Sequence, residues 1–151
     1  MKANTLIVDD EQMARRELSY LLEEDQRFKI NGEAVNGREA IKALKENDYS
    51  LVLLDIKMPG FSGIEVARLL QDFDNPPQVV FTTAYDEYAV EAFRLAAVDY
   101  LLKPINEDRF KETLNRVWDR ISMGHQDDSE QDNKNRNNQQ KTNNLLAENG
   151  V

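Results

Sequence analysis

Residues 51 to 63 read LVLLDIKMPGFSG, with an aspartate, Asp55, set directly after four apolar residues and followed by Pro59-Gly60 and Ser62-Gly63. A short, uninterrupted apolar run of this kind fits a strand covered on both faces, as in a parallel sheet. Pro-Gly breaks the strand, and a serine before renewed periodicity can cap a helix. The stretch therefore predicts strand, loop and helix, with Asp55 at the carboxyl end of the strand. The pattern recurs on either side. Thr5 to Val8 (TLIV) ends in Asp9-Asp10, Gln78 to Thr82 (QVVFT) ends in Thr83, and Val98 to Leu102 (VDYLL) ends in Lys103-Pro104. Lys29 to Val35 supplies a fifth strand candidate. Between the strands lie helical stripes, the first carrying Ala14, Leu18, Leu21 and Leu22, the last Phe110, Leu114, Val117, Trp118 and Ile121. The second helix follows Asn36-Gly37, and the fourth is expected over about Glu87 to Ala96, after Asp86. Alternation of this kind predicts an α/β domain of five βα units over residues 1–121, a parallel sheet with helices on both faces.

Composition narrows the function. At 151 residues the chain has room for one ordinary domain and a tail. It has no run of about 18 apolar residues and no signal peptide, so no membrane association is expected and the cytoplasm is the expected location. With no cysteine and a single histidine, a bound metal must rest on oxygen ligands, which favours a hard cation. The net charge of −9 disfavours an extended contact with phosphate backbones, so no nucleic acid is expected on this chain alone. From Ser122 to Val151, 11 of 30 residues are Asn or Gln, which reads as a solvated, disordered linker over 122–151. Its last stretch, NLLAENGV, regains apolar residues and is read as the opening of a missing output domain; the alternative is a natural terminus.

Ligands of open α/β sheets bind beyond the carboxyl ends of the strands. If the first and third strands are neighbours, Asp9, Asp10 and Asp55 converge, and three like charges need a cation or a raised pKa. Mg²⁺ suits such a site, binding through carboxylates, waters and phosphate oxygens. A lone Asp-Asp pair could equally be a helix cap or turn. The other strand ends decide, because they add a hydroxyl (Thr83) and an ammonium (Lys103), the groups phosphoryl transfer requires. Lys103-Pro104 is also a candidate cis peptide, which would aim the lysine across the sheet edge. His125 is read as a solvated tail residue, and the glycines match no phosphate-binding loop.

Taken together, LIVDDE, LLDIKMPGFSG, VVFTTAY and DYLLKPI resemble the receiver domain of two-component response regulators, in the family's order and spacing. The last two motifs, with AYDEYAVEAF between them, resemble the LytTR (LytR/AlgR) branch. The resemblance implies a flavodoxin-like fold of strand order 2-1-3-4-5, with Asp55 as phosphoacceptor. Asp10, Asp55 and the backbone carbonyl of Lys57 would hold Mg²⁺, with Asp9 acting chiefly through water. Thr83 and Lys103 would each pair with a phosphoryl oxygen. Tyr100 stands at the position of the family's switch aromatic, and Ala84 leaves room for a phosphodonor; for Tyr100 the alternative is an immobile half-buried strand residue. A sensor histidine kinase would be the donor, and the surface of the fourth helix, fifth strand and fifth helix would form a phosphorylation-promoted homodimer, with Glu87, Glu91 and Arg94 as exposed charges. In the parent protein a DNA-binding LytTR output would follow the linker. A stand-alone receiver acting by protein contact is the alternative. A Mg²⁺-dependent phosphatase of the haloacid dehalogenase type is disfavoured, since no DxD motif lies on the first strand. The chain is thus read as a switch whose only chemistry is its own phosphorylation and dephosphorylation.

Overall fold

The computed structural model describes residues 2–124. Five strands, β1 (Ala3–Val8), β2 (Phe28–Ala34), β3 (Leu51–Leu54), β4 (Gln78–Thr83) and β5 (Asp99–Leu102), form one parallel sheet of order β2-β1-β3-β4-β5. Helices α1 (Gln12–Glu23), α2 (Gly37–Glu46), α3 (Gly63–Leu70) and α4 (Ala89–Arg94) alternate with them. A fifth helix, α5, occupies residues 107–124, running past Ile121 into the stretch expected to be linker. The chain divides after Trp118 into two units, and the sheet, α1 to α4 and the first part of α5 make up the first. The polar tail and His125 lie outside the described residues.

The burial of each strand matches its place in this order. β3 reads LVLL and is buried throughout, as a central strand covered on both faces must be. At the edge, β2 (FKINGEA) alternates buried ends with exposed Lys29, Asn31 and Glu33 faces. One face of the sheet, with Leu6, Val8, Val52, Leu54 and Phe81, packs with Ala40 and Leu44 of α2, Val66 and Leu70 of α3 and Ala92 of α4. Successive side chains point to opposite faces, so Ile7, Leu53 and Val80 serve the other core, where Leu18, Leu22, Phe110 and Leu114 are also buried. α5 is anchored to that side by Asp99 of β5. Its carboxylate accepts hydrogen bonds from Arg109 (2.6 Å), Thr113 (2.6 Å) and Arg116. Trp118 meets Phe28 edge-on at 5.9 Å, with Arg27 over both rings.

Helix starts follow local chemistry where a side chain can cap. Asn36 accepts from the Glu39 N–H, and Ser62 and Glu65 form a reciprocal capping box. The fourth helix departs from expectation. It begins at Ala89 after Tyr88, which makes no side-chain cap bond, and it ends at Arg94 instead of Ala96. The two residues before it form a turn instead, with the Ala89 N–H on the Asp86 carbonyl at 3.4 Å, three residues back.

Candidate functional site

The parallel register places the carboxyl ends of β1, β3, β4 and β5 along one edge. Val8 pairs with Leu54, Leu54 with Phe81, and Thr83 with Leu102, so Asp9, Asp55, Thr83 and Lys103 all emerge there. Ligand oxygens of Asp9, Asp10 and Asp55 lie within 4.8 Å of one another. Asp9 is wholly buried, and its Oδ2 accepts from Lys103 Nζ at 2.7 Å. Asp55 is nearly so; its Oδ2 lies 3.9 Å from the same ammonium, and its Oδ1 accepts from the Ile56 N–H at 2.8 Å. Asp10 is exposed. The Lys103–Pro104 peptide is cis, as the sequence suggested.

Electrostatics set Asp55 apart. Burial, reinforced by the charge of Asp9, raises its pKa to about 7, against the opposing pull of Lys103. Lys103 moves the other way in net effect. Burial disfavours its charge, but the hydrogen bond to Asp9 and the charges of Asp55 and Asp9 outweigh that, so its pKa is raised. One ammonium, paired with Asp9 and Asp55, is thus all that offsets a cluster of three carboxylates. An all-oxygen donor set short of positive charge fits a hard divalent cation.

Backbone packing brings the loop after β3 close to the site. The Gly63 N–H donates to the Ile56 carbonyl at 2.9 Å. A Cβ on Gly63 would stand 2.0 Å from the Asp55 carbonyl oxygen, so only glycine lets α3 begin this close to Asp55. Lys57, two residues past Asp55, is exposed, and its ammonium lies 5.3 Å from the Tyr85 ring centre and 5.5 Å from that of Tyr88. Its side chain therefore joins the loop after β3 to the loop after β4.

Thr83 is buried at the end of β4, and its Oγ1 accepts from the Tyr85 N–H at 3.3 Å. Tyr100 is half-buried, tilted against Phe81 at 6.3 Å, with its hydroxyl bonded to the Tyr85 carbonyl. The predicted residues thus form two groups, the acidic cluster with Lys103, and Thr83 with Tyr100, linked through Tyr85. Sequence reasoning passed over Tyr85 because its contacts there are made by backbone atoms, whose partners no residue type announces. One charge also differs from expectation. Glu91 is half-buried and paired with Arg68 of α3 at 2.6 Å, while Glu87 and Arg94 are exposed.

Residues 5–115 match the family model of the response regulator receiver domain. The sensory transduction protein LytT of Bacillus anthracis is 46% identical over 111 residues, which cover 74% of this chain and 45% of that protein. The transcriptional regulatory protein LytR of Staphylococcus aureus (strain N315) is 44% identical, over 78% of this chain and 47% of that protein. The chain spans about half the length of these curated relatives. Among solved structures, the response regulatory domain of mrkE from Klebsiella pneumoniae gives a TM-score of 0.76 at 36% identity, covering 80% of this chain and 98% of that one. The response regulator TrrA from Thermotoga maritima, solved in complex with Mg²⁺-BeF, gives 0.69 at 37% identity, covering 78% and 99%. No helix among the described residues is long and apolar enough to cross a membrane. With most of its length inside the family model and with regulators of the LytR and LytT kind as its relatives, this chain belongs to the response regulator receiver domain family.

Proposed function

We propose that Asp55 is the phosphoacceptor of a two-component switch, that Asp9, Asp10, Asp55 and the Lys57 carbonyl hold Mg²⁺, and that a sensor histidine kinase is the donor. Receiver domains bind Mg²⁺ at an acidic pocket and act with histidine kinases as signalling modules; they are not conventional enzymes. The observation that carries the reading is the convergence of three carboxylates within 4.8 Å, with the Lys103 ammonium between Asp9 and Asp55.

In the transfer a bond forms between an Asp55 carboxylate oxygen and phosphorus, and the bond from phosphorus to the donor's imidazole nitrogen breaks. Asp55 must be ionised to attack, and with a pKa of about 7 it is only partly so near neutrality. Bound Mg²⁺ would favour the carboxylate and neutralise charge on the phosphoryl oxygens. Lys103 would exchange its bond to Asp9 for a phosphoryl oxygen, and Thr83 would donate to another. Engaging Thr83 Oγ1 in this way disturbs its bond with the Tyr85 N–H, and the loop it holds shifts. Tyr100, bonded to the same residue's carbonyl, then loses its partner and turns inward.

The surface so altered is α4–β5–α5. Val90 and Phe93 of α4 and Leu102 of β5 are exposed there, which supports a phosphorylation-promoted homodimer. In the parent protein this dimer would control a LytTR-type DNA-binding output, by analogy with the LytR relatives. Amide NMR spectra recorded with Mg²⁺ and beryllofluoride test the switch. Thr83, Tyr85 and Tyr100 should shift in the unmodified chain and stay in place in Asp55→Asn; unmoved Tyr85 and Tyr100 signals with beryllofluoride bound would contradict it.

A further inference from the structure

Asp9 has every polar atom engaged. Its N–H donates to the Ala34 carbonyl (3.1 Å), its Oδ1 accepts from the Glu11 N–H (3.0 Å) and its Oδ2 from Lys103 (2.7 Å). Its carbonyl oxygen accepts from Arg15 Nη1 at 2.9 Å. Arg15 lies on α1 with its side chain only 15% exposed, and its Nε donates to Glu33 Oε1 of β2 at 3.1 Å. The guanidinium is thus fixed by one partner and holds the other, a use of the planar fork that a lysine cannot fully copy.

The atom it holds belongs to the peptide joining Asp9 to Asp10. That unit is planar, so fixing its oxygen fixes the direction in which the chain enters Asp10. On the other side of Asp10 the Glu11 N–H is held by Asp9 Oδ1, so Arg15 and Asp9 between them fix both peptides that flank Asp10. Asp10 makes no side-chain hydrogen bond among the described residues, and Glu11, at the N-cap of α1, makes no side-chain cap bond. The aim of the exposed carboxylate in the cluster therefore depends on the backbone, which is held from α1 by Arg15 on one side and by Asp9 Oδ1 on the other.

We propose that Arg15 is a positioning residue for the cation site: through the Asp9 carbonyl it orients Asp10 toward the Asp9–Asp55 cluster, and Glu33 in turn orients Arg15. The proposal rests on the reading of that cluster as a Mg²⁺ site. The competing account is a bridge between α1 and β2 that contributes stability alone.

Calorimetric titration with Mg²⁺ alone separates the two, run on the unmodified chain, Arg15→Ala, Arg15→Lys, Glu33→Gln and Asp10→Ala, each with a thermal melt. Partners that orient metal ligands typically change affinity by about tenfold or more, so Arg15→Ala should weaken Mg²⁺ binding about tenfold, with Arg15→Lys recovering part of the loss. A folded Arg15→Ala whose affinity stays within about twofold of the unmodified chain, while Asp10→Ala binds poorly, overturns the role of Arg15 and leaves the cation site standing. Undiminished binding by Asp10→Ala removes Asp10 from the ligands and overturns this proposal, whereas no Mg²⁺ binding by the unmodified chain overturns the cation reading itself. If Arg15→Ala does not fold, Glu33→Gln decides, with binding weakened toward about tenfold expected and binding within about twofold of the unmodified chain contradicting the proposal.

Discussion

At the scale of single residues, Asp55 pits stability against function. Its pKa in the fold, about 7, is far above the ordinary 3.8, so folding favours its protonated form. The resulting penalty is absent below about pH 4, grows as pH rises toward about 7, and is complete above that. Asp55→Asn in metal-free buffer should therefore raise the melting temperature at about pH 8 and leave it nearly unchanged at about pH 4. Equal effects at both would mean that Asp55 is not held near neutrality by its surroundings. Asp9 and Asp10, Asp55 and Lys103 were legible in the sequence because they close apolar runs whose length and branched residues fit buried strands. Arg15 was not, because its target is a main-chain carbonyl and its other partner, Glu33, is 18 positions away on a neighbouring strand.

Among elements, α4 shows where pattern reading reaches its limit. Strands β1, β3, β4 and β5 were predicted to within two residues at either end, since burial dictates their composition. The end of α4 is instead decided by hydrogen bonds of the residues that follow it. Its C-terminus closes with the Ala96 N–H on the Phe93 carbonyl (3.0 Å) and the Ala97 N–H on the Ala92 carbonyl (3.3 Å). This is a Schellman motif with alanine in the left-handed position, φ 61°. Glycine avoids the Cβ penalty there, partly offset by its greater unfolded-state freedom, so Ala96→Gly should stabilise the domain by about 0.5 kcal/mol in urea unfolding. A loss of stability would show that the Ala96 methyl contributes more by packing than its backbone costs. Because α4 belongs to the surface proposed to switch, the same variant also asks whether its C-terminal cap is part of that switch.

For the whole molecule, the strand order 2-1-3-4-5 was expected once the resemblance was drawn, and the sheet has it. Composition alone leaves strand order open, because several orders bury the same strands. The assembly is a consequence of the proposed switch. Sedimentation velocity should show a monomer that shifts toward a dimer with Mg²⁺ and beryllofluoride, and Phe93→Glu should weaken that shift; an unchanged monomer mass would remove the α4–β5–α5 dimer from the account. The central claim, phosphorylation of Asp55 assisted by Mg²⁺, is tested most directly by intact-protein mass after incubation with acetyl phosphate and Mg²⁺, beside Asp55→Ala and a sample with excess EDTA. The account predicts one phosphoryl adduct that disappears in both controls. An adduct that persists in Asp55→Ala, or none in the unmodified chain with Mg²⁺ bound, would contradict it.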